Sequence, residues 1–127
     1  MDKLLNENLP IYMQIMDKIR AAIVSGELAA GAKVASVREL AEHFGVNPNT
    51  MQRALAELER EGLLISERTT GRFVTTDTAI IDQVRKEAAE KIVSEFLQKM
   101  KGLGFSKEQI EEFFREIDMS DGFGEAM

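Results

Sequence analysis

The segment that decides the fold spans residues 36–50 and has the sequence SVRELAEHFGVNPNT. Ser36 and Glu39 have the spacing of a capping box, in which the Ser hydroxyl accepts a hydrogen bond from the Glu backbone N–H and the Glu carboxylate reaches back to the cap. Gly45 ends this helix, and Asn47, followed directly by proline, begins the next one. Two short helices joined by a glycine-containing turn of roughly three to four residues predict a helix-turn-helix.

The segments on either side of this motif predict a winged helix. A first helix begins at Pro10, because isoleucines recur behind it at helical spacing until Gly26. The second helix of the motif is predicted over residues 48–61, where apolar residues at helical spacing form a buried face. Two short strands, at residues 64–68 and 72–75, then flank a turn that contains glycine. Helix, helix-turn-helix and hairpin occur in the order of a winged helix.

The remaining residues, 77–127, predict a unit of two helices. The first covers residues 77–101, where the apolar stripe is wide for a lone surface helix. The second follows Ser106, which has capping-box spacing to Gln109. Exposed apolar stripes of this size usually mark an interface, so we predict that this unit dimerises. The residues expected to carry the contact are Ile92, Phe96, Met100, Phe113 and Phe114.

The predicted fold is therefore mostly α-helical with one small β-hairpin. A winged helix-turn-helix domain is assigned to residues 1–76, and a two-helix dimerisation tail to residues 77–127. We expect the end of the tail, from Met119, to be disordered. We also expect a chain that ends at Thr76 to fold as a monomer.

The charge of the chain is unevenly distributed. Residues 1–76 hold nine Lys/Arg and ten Asp/Glu, while residues 77–127 hold seven and twelve, so the net charge of −6 divides into −1 and −5. The acidity belongs mainly to the tail and does not exclude a DNA-binding face elsewhere. The chain has no cysteine, which excludes disulfides and suits a reducing cytoplasm. Residues 1–8 show no signal-peptide run, and no apolar stretch approaches membrane-spanning length, so we predict a cytoplasmic protein without membrane partners.

The sequence offers no set of catalytic or metal-binding residues. His43 is the only histidine and has no cysteine partner, so a surface or packing role on its helix is preferred. Glu57, Glu59 and Glu61 are two residues apart, which puts successive members on different sides of a helix and favours a solvated acidic surface over paired catalytic carboxylates. Phosphate-loop and nucleophile motifs are missing. We therefore predict that the protein is not an enzyme and needs no metal or cofactor.

Three polar residues share one side of the helix predicted over residues 48–61. Asn49, Gln52 and Arg53 recur at helical spacing away from its apolar stripe. Asn and Gln can pair with adenine through two hydrogen bonds, and Arg can pair with guanine or a phosphate. An ordinary solvated helix face is the alternative interpretation. The helix-turn-helix before these residues and the hairpin after them favour double-stranded DNA.

Three further arginines lie on neighbouring parts of the predicted winged helix. Arg38 follows the start of the helix-turn-helix, where a guanidinium and a helix N-terminus can both meet a phosphate; pairing with Glu42 is the alternative. Arg68 and Arg72 flank the hairpin tip. Cations there suit the DNA minor groove or backbone, although charges at a hairpin tip also serve solubility.

Motifs spread over residues 9–76 resemble the winged-helix domain of GntR-family regulators. The motifs are PIY at 10–12, SVRELA at 36–41, GVNPNT at 45–50, AL at 54–55, LEREGL at 58–63 and GRFV at 71–74. The resemblance implies DNA contacts by Arg38, Asn47, Asn49, Thr50, Gln52, Arg53 and Gly71. The chain departs from the family at Pro48 and Gln52, where arginine is frequent. These departures concern the operator sequence and not the mode of binding.

The short tail resembles the YtrA-like subfamily, whose members are dimeric regulators often associated with transporter operons. Two-fold symmetry of such a homodimer would place two recognition helices on a palindromic operator. We expect it to repress by occluding a promoter, and activation is the alternative output. The tail is too small to enclose a separate ligand domain. A small-molecule effector would therefore need a pocket at the dimer seam or between the tail and the winged helix.

Two other classes of function are compatible with a winged helix. One is a protein-interaction module whose acidic tail docks a partner; an apolar or acidic surface on the second helix of the motif would favour it, and Asn49, Gln52 and Arg53 do not. The other is a sensor whose main property is small-molecule binding, which a thermal-shift screen would detect.

Overall fold

The computed structural model describes residues 9–117. Five helices and one antiparallel hairpin make the described fold mostly helical, which confirms the predicted fold class. The expected disorder from Met119 lies outside the described residues. In chain order the elements are α1 (Ile11–Val24), α2 (Val37–Phe44), α3 (Pro48–Arg60), β1 (Leu64–Glu67), β2 (Gly71–Val74), α4 (Thr78–Gly102) and α5 (Lys107–Glu116).

The turn between α2 and α3 has the local geometry that the sequence predicts. The Glu39 N–H donates to Ser36 Oγ at 3.1 Å, and the Ser36 N–H donates to Glu39 Oε1 at 3.0 Å, which completes the capping box. Gly45 ends α2 in the left-handed conformation, with φ +70°, where glycine avoids the steric penalty of a side chain. Asn47 Oδ1 then accepts from the Asn49 N–H at 2.7 Å and begins α3. These contacts fix the direction in which α3 leaves the turn.

Residues 1–87 form the first compact unit of the chain. The buried face of α3 lies at the centre of its core, and the α1 isoleucines pack with it. Burying these side chains supplies the main stabilising free energy of the unit, at about 25 cal/mol per Å² of apolar surface. The most fully buried members on α3 are Met51, Ala54, Leu55 and Leu58. This core holds α3 with its opposite side exposed.

The hairpin is joined to the connector that precedes α2. β1 pairs with β2 in an antiparallel register from Leu64–Val74 to Glu67–Gly71. The Val34 N–H donates to the Arg72 carbonyl, and the Val74 N–H donates to the Ala32 carbonyl, each at 2.9 Å. The connector therefore covers the outer edge of β2, an association that the sequence did not predict.

The first turns of α4 belong to the core of this unit. Ile81 is buried, and Ile80 and Val84 pack against the core. Arg85 donates from Nε and Nη2 to the Val24 carbonyl at 3.1 and 2.8 Å, which satisfies a free carbonyl at the end of α1. The unit thus includes residues beyond Thr76, and the division of functions between residues 1–76 and 77–127 stays a prediction.

Residues 88–127 form the second compact unit. Within its described part, α5 begins with the predicted capping box, since the Gln109 N–H donates to Ser106 Oγ at 3.2 Å and the Ser106 N–H donates to Gln109 Oε1 at 2.8 Å. The Phe96 and Phe114 rings lie 5.7 Å apart, centroid to centroid. Ile110 is buried. Most of the remaining apolar side chains of this unit are exposed.

Candidate nucleic-acid interface

The outer face of α3, defined here as Asn49, Gln52 and Arg53, is exposed along its length. Met51, on the opposite side of the same helix, is fully buried. Neither the Asn49 side chain nor the Gln52 side chain has a hydrogen-bond partner among residues 9–117. The structure therefore brings the three predicted contacts together on a rigid helix, with two amide groups available for base edges.

Arg53 is held by a tyrosine from another helix. Its Nη2 donates to the Tyr12 hydroxyl at 3.3 Å. Its Cζ lies 3.9 Å from the centroid of the Tyr12 ring, within cation–π distance. The two residues are 41 positions apart, so helical periodicity gave no sign of this contact.

Asn47 and Thr50 have fewer polar atoms free for DNA contacts than the residues of the outer face. The Oδ1 atom of Asn47 is engaged as the cap of α3, which leaves its amide N–H groups as the unused donors of that side chain. Thr50 is half-buried in the first turn of α3. The family-implied contacts at these two residues therefore have fewer exposed polar atoms than those of the outer face.

Arg38 lies exposed in the first turn of α2. Within the described chain it has no ion pair, so the alternative pairing with Glu42 is not formed. Beside it, the Ser36 backbone N–H, and then the Ser36 hydroxyl, lower the pKa of Glu39 below its ordinary value. The Glu39 carboxylate therefore stays ionised at neutral pH, as the cap requires. Because Arg38 is exposed and has no ion pair among the described residues, its guanidinium is available to a phosphate.

The two arginines that flank the hairpin tip have different surroundings. Arg68 is exposed in the turn between β1 and β2. Arg72 has a side chain only 18% exposed, with Nε 3.5 Å from Glu59 Oε1. Ser66 Oγ also donates to the Glu59 carboxylate. Of the two arginines predicted to flank the tip, Arg68 is therefore exposed, whereas Arg72 is half-buried beside Glu59, and its Nε has no hydrogen-bond partner among the described residues.

Two acidic residues at the end of α3 have partners on other elements. Glu59 binds the hairpin, and Glu61 accepts hydrogen bonds from Arg20 on α1 at 3.0 and 2.5 Å. Glu61 is exposed and Glu59 is half-buried, so the predicted acidic surface is present, and both carboxylates also have partners on other elements. A raised pKa at Arg20, caused chiefly by the hydrogen bond to Glu61, agrees with a stable ion pair.

An open cleft of about 840 Å³ lies between the start of α2 and the hairpin. Lys33, Arg68 and Arg72 line it together with the carboxylates Glu39 and Glu67 and the exposed Gly71. A Cβ at Gly71 would lie 3.3 Å from Lys33 Cε, and its φ of +113° disfavours other residues. The lining has one more cationic than anionic side chain, and the start of α2 borders it, so the cleft is suited to a DNA backbone.

His43 lies on the exposed surface of α2 and meets the Phe44 ring edge-on at 5.3 Å between centroids. Residues 9–117 contain no group of three or more His, Asp or Glu side chains placed to hold a metal ion. In the same part of the chain, no helix combines the length and apolar character needed to cross a membrane.

A family model described as "Bacterial regulatory proteins, gntR family" matches residues 11–74, the stretch that contains α1, the helix-turn-helix and the hairpin. The chain belongs to the GntR family. GntR-family members are DNA-binding transcriptional regulators and not enzymes, so the predicted class of protein is confirmed for this chain.

Individual relatives extend the GntR-family match beyond the winged helix. "Uncharacterized HTH-type transcriptional regulator YhcF" of Bacillus subtilis (strain 168) is 38% identical over 110 residues, which cover 87% of this chain and 91% of that protein. "HTH-type transcriptional repressor YtrA" of the same organism is 31% identical over 114 residues, covering 85% and 84%. A "GntR family transcriptional regulator from Listeria monocytogenes" has a TM-score of 0.79 and 38% identity, covering 90% of this chain and 100% of that one. The predicted YtrA-like resemblance is thus confirmed.

Proposed function

We propose that this GntR-family protein is a cytoplasmic homodimeric repressor that binds a palindromic operator. The observation that carries the proposal is the outer face of α3, whose exposed Asn49, Gln52 and Arg53 stand on a helix with a fully buried opposite side. A helix fixed in this way can enter the major groove without losing its place in the core. The word "repressor" in the printed name of the YtrA relative supports repression as the output.

The proposed DNA contacts divide into two kinds. Asn49 and Gln52 contact base edges, because their amides have both donor and acceptor groups. Phosphate contacts, which position the protein without specifying sequence, come from side chains of the helix-turn-helix and the hairpin and from the backbone of Gly71. The residues assigned to these backbone contacts are Arg38, Asn47, Thr50, Arg53, Arg68, Gly71 and Arg72. Because Arg72 lies within ion-pair distance of Glu59, its proposed contribution also includes linking the hairpin to α3.

Dimerisation is supported by the apolar surface of the second unit. Ile92 is 66% exposed and Phe114 is 51% exposed, and Phe96 and Phe113 are also exposed, while Met100 is half-buried. A second copy of the same unit would remove this surface from water by two-fold pairing. Two-fold symmetry then presents two α3 helices to half-sites about one helical turn apart, or a multiple of it.

Repression would follow from occupying a promoter, and the YtrA-like tail makes a transporter-type operon the proposed target. The test is to map the DNA that the full-length protein retains from its native genome and to footprint the strongest fragment. We expect two symmetrical protected half-sites upstream of transporter genes. Protection of one unsymmetrical site would contradict the dimer proposal, and retention of no fragment would contradict operator binding.

Substitution of single contacts should separate base recognition from backbone binding. Gln52→Ala should reduce discrimination between the operator and a mutated operator by about 1–3 kcal/mol, because a paired base contact is lost. Arg38→Ala should weaken binding to both duplexes equally, because a phosphate contact is the same in every sequence. Fluorescence anisotropy with the two duplexes measures both effects. Equal losses on both duplexes for both variants would show that the assigned roles are wrong.

A further inference from the structure

One contact of the outer face of α3 comes from outside the helix-turn-helix. Tyr12 lies on α1, is half-buried, and packs against the core of the first unit. Its hydroxyl accepts from Arg53 Nη2 at 3.3 Å while the guanidinium lies 3.9 Å above its ring. The motif alone therefore does not determine where the charge of Arg53 is held.

We propose that Tyr12 is a positioning residue for DNA binding, which holds the Arg53 guanidinium ready for a DNA phosphate. The inference rests on the proposed role of the outer face and deepens it by adding a residue of α1. Tyr12 acts through Arg53 and needs no contact with DNA.

The geometry of the pair leaves Arg53 able to bind a phosphate. A guanidinium has five N–H donors in a planar fork, and the tyrosine hydroxyl accepts only one of them. The ring attracts the cation through its π face and does not neutralise it, unlike a carboxylate. Arg53 has no ion pair among the described residues. Its charge is therefore fixed in position and still available.

A neighbouring carboxylate is a second possible partner for Arg53. Glu57 lies one turn after Arg53 on α3, at the i,i+4 spacing that favours a pair of opposite charges. In the structure Glu57 pairs instead with Arg60, at 3.3 Å. If the ring of Tyr12 were lost, Arg53 would be free to turn along the helix toward Glu57. Its charge would then be partly neutralised, and ordering it on DNA would cost more side-chain entropy.

A double-mutant cycle tests this coupling. The full-length protein is titrated against a duplex that the wild type has selected from a random-sequence pool, with Tyr12→Leu, Arg53→Ala and the double variant. We expect Tyr12→Leu to weaken binding about three- to tenfold in the wild-type background. In the Arg53→Ala background it should have almost no effect. A purely structural tyrosine would instead weaken binding equally in both backgrounds, and that result would overturn the proposal.

A conservative variant and a second measurement support the cycle. Tyr12→Phe keeps the ring and loses the hydroxyl, so its affinity should stay within about twofold of the wild type. The slope of log affinity against log salt should fall in Tyr12→Leu by about one phosphate contact per protomer and should be unchanged in Tyr12→Phe. Thermal unfolding establishes that each variant is folded at the assay temperature. If Tyr12→Leu is not, Tyr12→Met replaces it, because methionine also fills an apolar site.

The outcomes separate this inference from the proposed function. If Arg53→Ala binds as tightly as the wild type, Arg53 makes no phosphate contact and the inference fails, while operator binding stands. An unchanged affinity or salt slope in a folded Tyr12→Leu protein likewise overturns the inference alone. If the wild type selects no duplex from the pool, the proposed function itself fails.

Discussion

A chain that ends at Glu87 should fold, sediment as a monomer and bind the operator about 10²–10⁴ times more weakly than the full chain. The first unit is complete at that point, since Ile81, Val84 and Arg85 are retained. Without the second unit the protein cannot dimerise, so each monomer binds one half-site independently. The high effective concentration that a dimer gives the second half-site contact is then lost. Sedimentation velocity and a footprint of the same operator, which should shrink to one half-site, measure the two effects together.

Two controls make the truncation result specific. A chain that ends at Thr76 lacks the buried Ile81, so it should be less stable to denaturant than the chain that ends at Glu87, by about 2–5 kcal/mol. In the full chain, Ile92→Glu should produce monomers, because it places a charge on the exposed apolar surface, whereas Lys91→Glu beside it should not. If the chain that ends at Glu87 binds the operator with the affinity of the full chain, the tail does not dimerise the protein for DNA binding.

Operator affinity should fall by about 10³–10⁵ when the salt concentration rises from about 50 to about 200 mM. Three or four arginines in each of two protomers give about six to eight phosphate contacts, and each contact releases counterions from the DNA. The arginines concerned are Arg38, Arg53, Arg68 and Arg72. Anisotropy titrations over a range of salt concentrations measure the slope.

The salt prediction has a matched pair of variants. Arg38→Ala should lower the slope by about one contact per protomer. Arg115→Ala removes an arginine of α5 that pairs with Glu112 at 2.9 Å, and it should leave the slope unchanged. An affinity that does not depend on salt, or a slope that both variants reduce equally, would contradict the assignment of the backbone contacts.

The sequence predicted those parts of the fold that depend on neighbouring residues. The capping boxes at Ser36 and Ser106, the left-handed Gly45 and the cap at Asn47 each involve residues within one helical turn, so their spacing alone carries the information. The buried face of α3 was predicted for the same reason, because helical periodicity places its apolar residues on one side.

Contacts between distant residues could not be predicted in this way. Tyr12 and Arg53 are 41 positions apart, as are Arg20 and Glu61, and the Arg85–Val24 contact joins residues 61 positions apart. A pattern of charges does not say which partners the packing of helices will bring together. For this reason the outer face of α3 could be assigned from the sequence, while the residue that holds its arginine could not.

The hairpin illustrates the same limit within the candidate site. Sequence spacing placed Arg68 and Arg72 near the tip, but only the packing of α3 against the strands determines that Arg72 faces Glu59. The end of the first unit also could not be predicted from the sequence. It lies within α4, one continuous helix from Thr78 to Gly102, and the sequence of α4 has no break where the core of that unit ends.

The connector along β2 has a consequence for how the protein can change during evolution. A two-stranded hairpin is marginally stable alone, but here β2 pairs with β1 along one edge and with Ala32 and Val34 along the other. The strand register therefore does not depend on the turn at residues 68–70. The entropy cost of a longer loop grows only slowly with its length. Insertions and deletions in that turn can accumulate without shifting the strands, so the tip of the hairpin can change in length while the rest of the domain keeps its sequence.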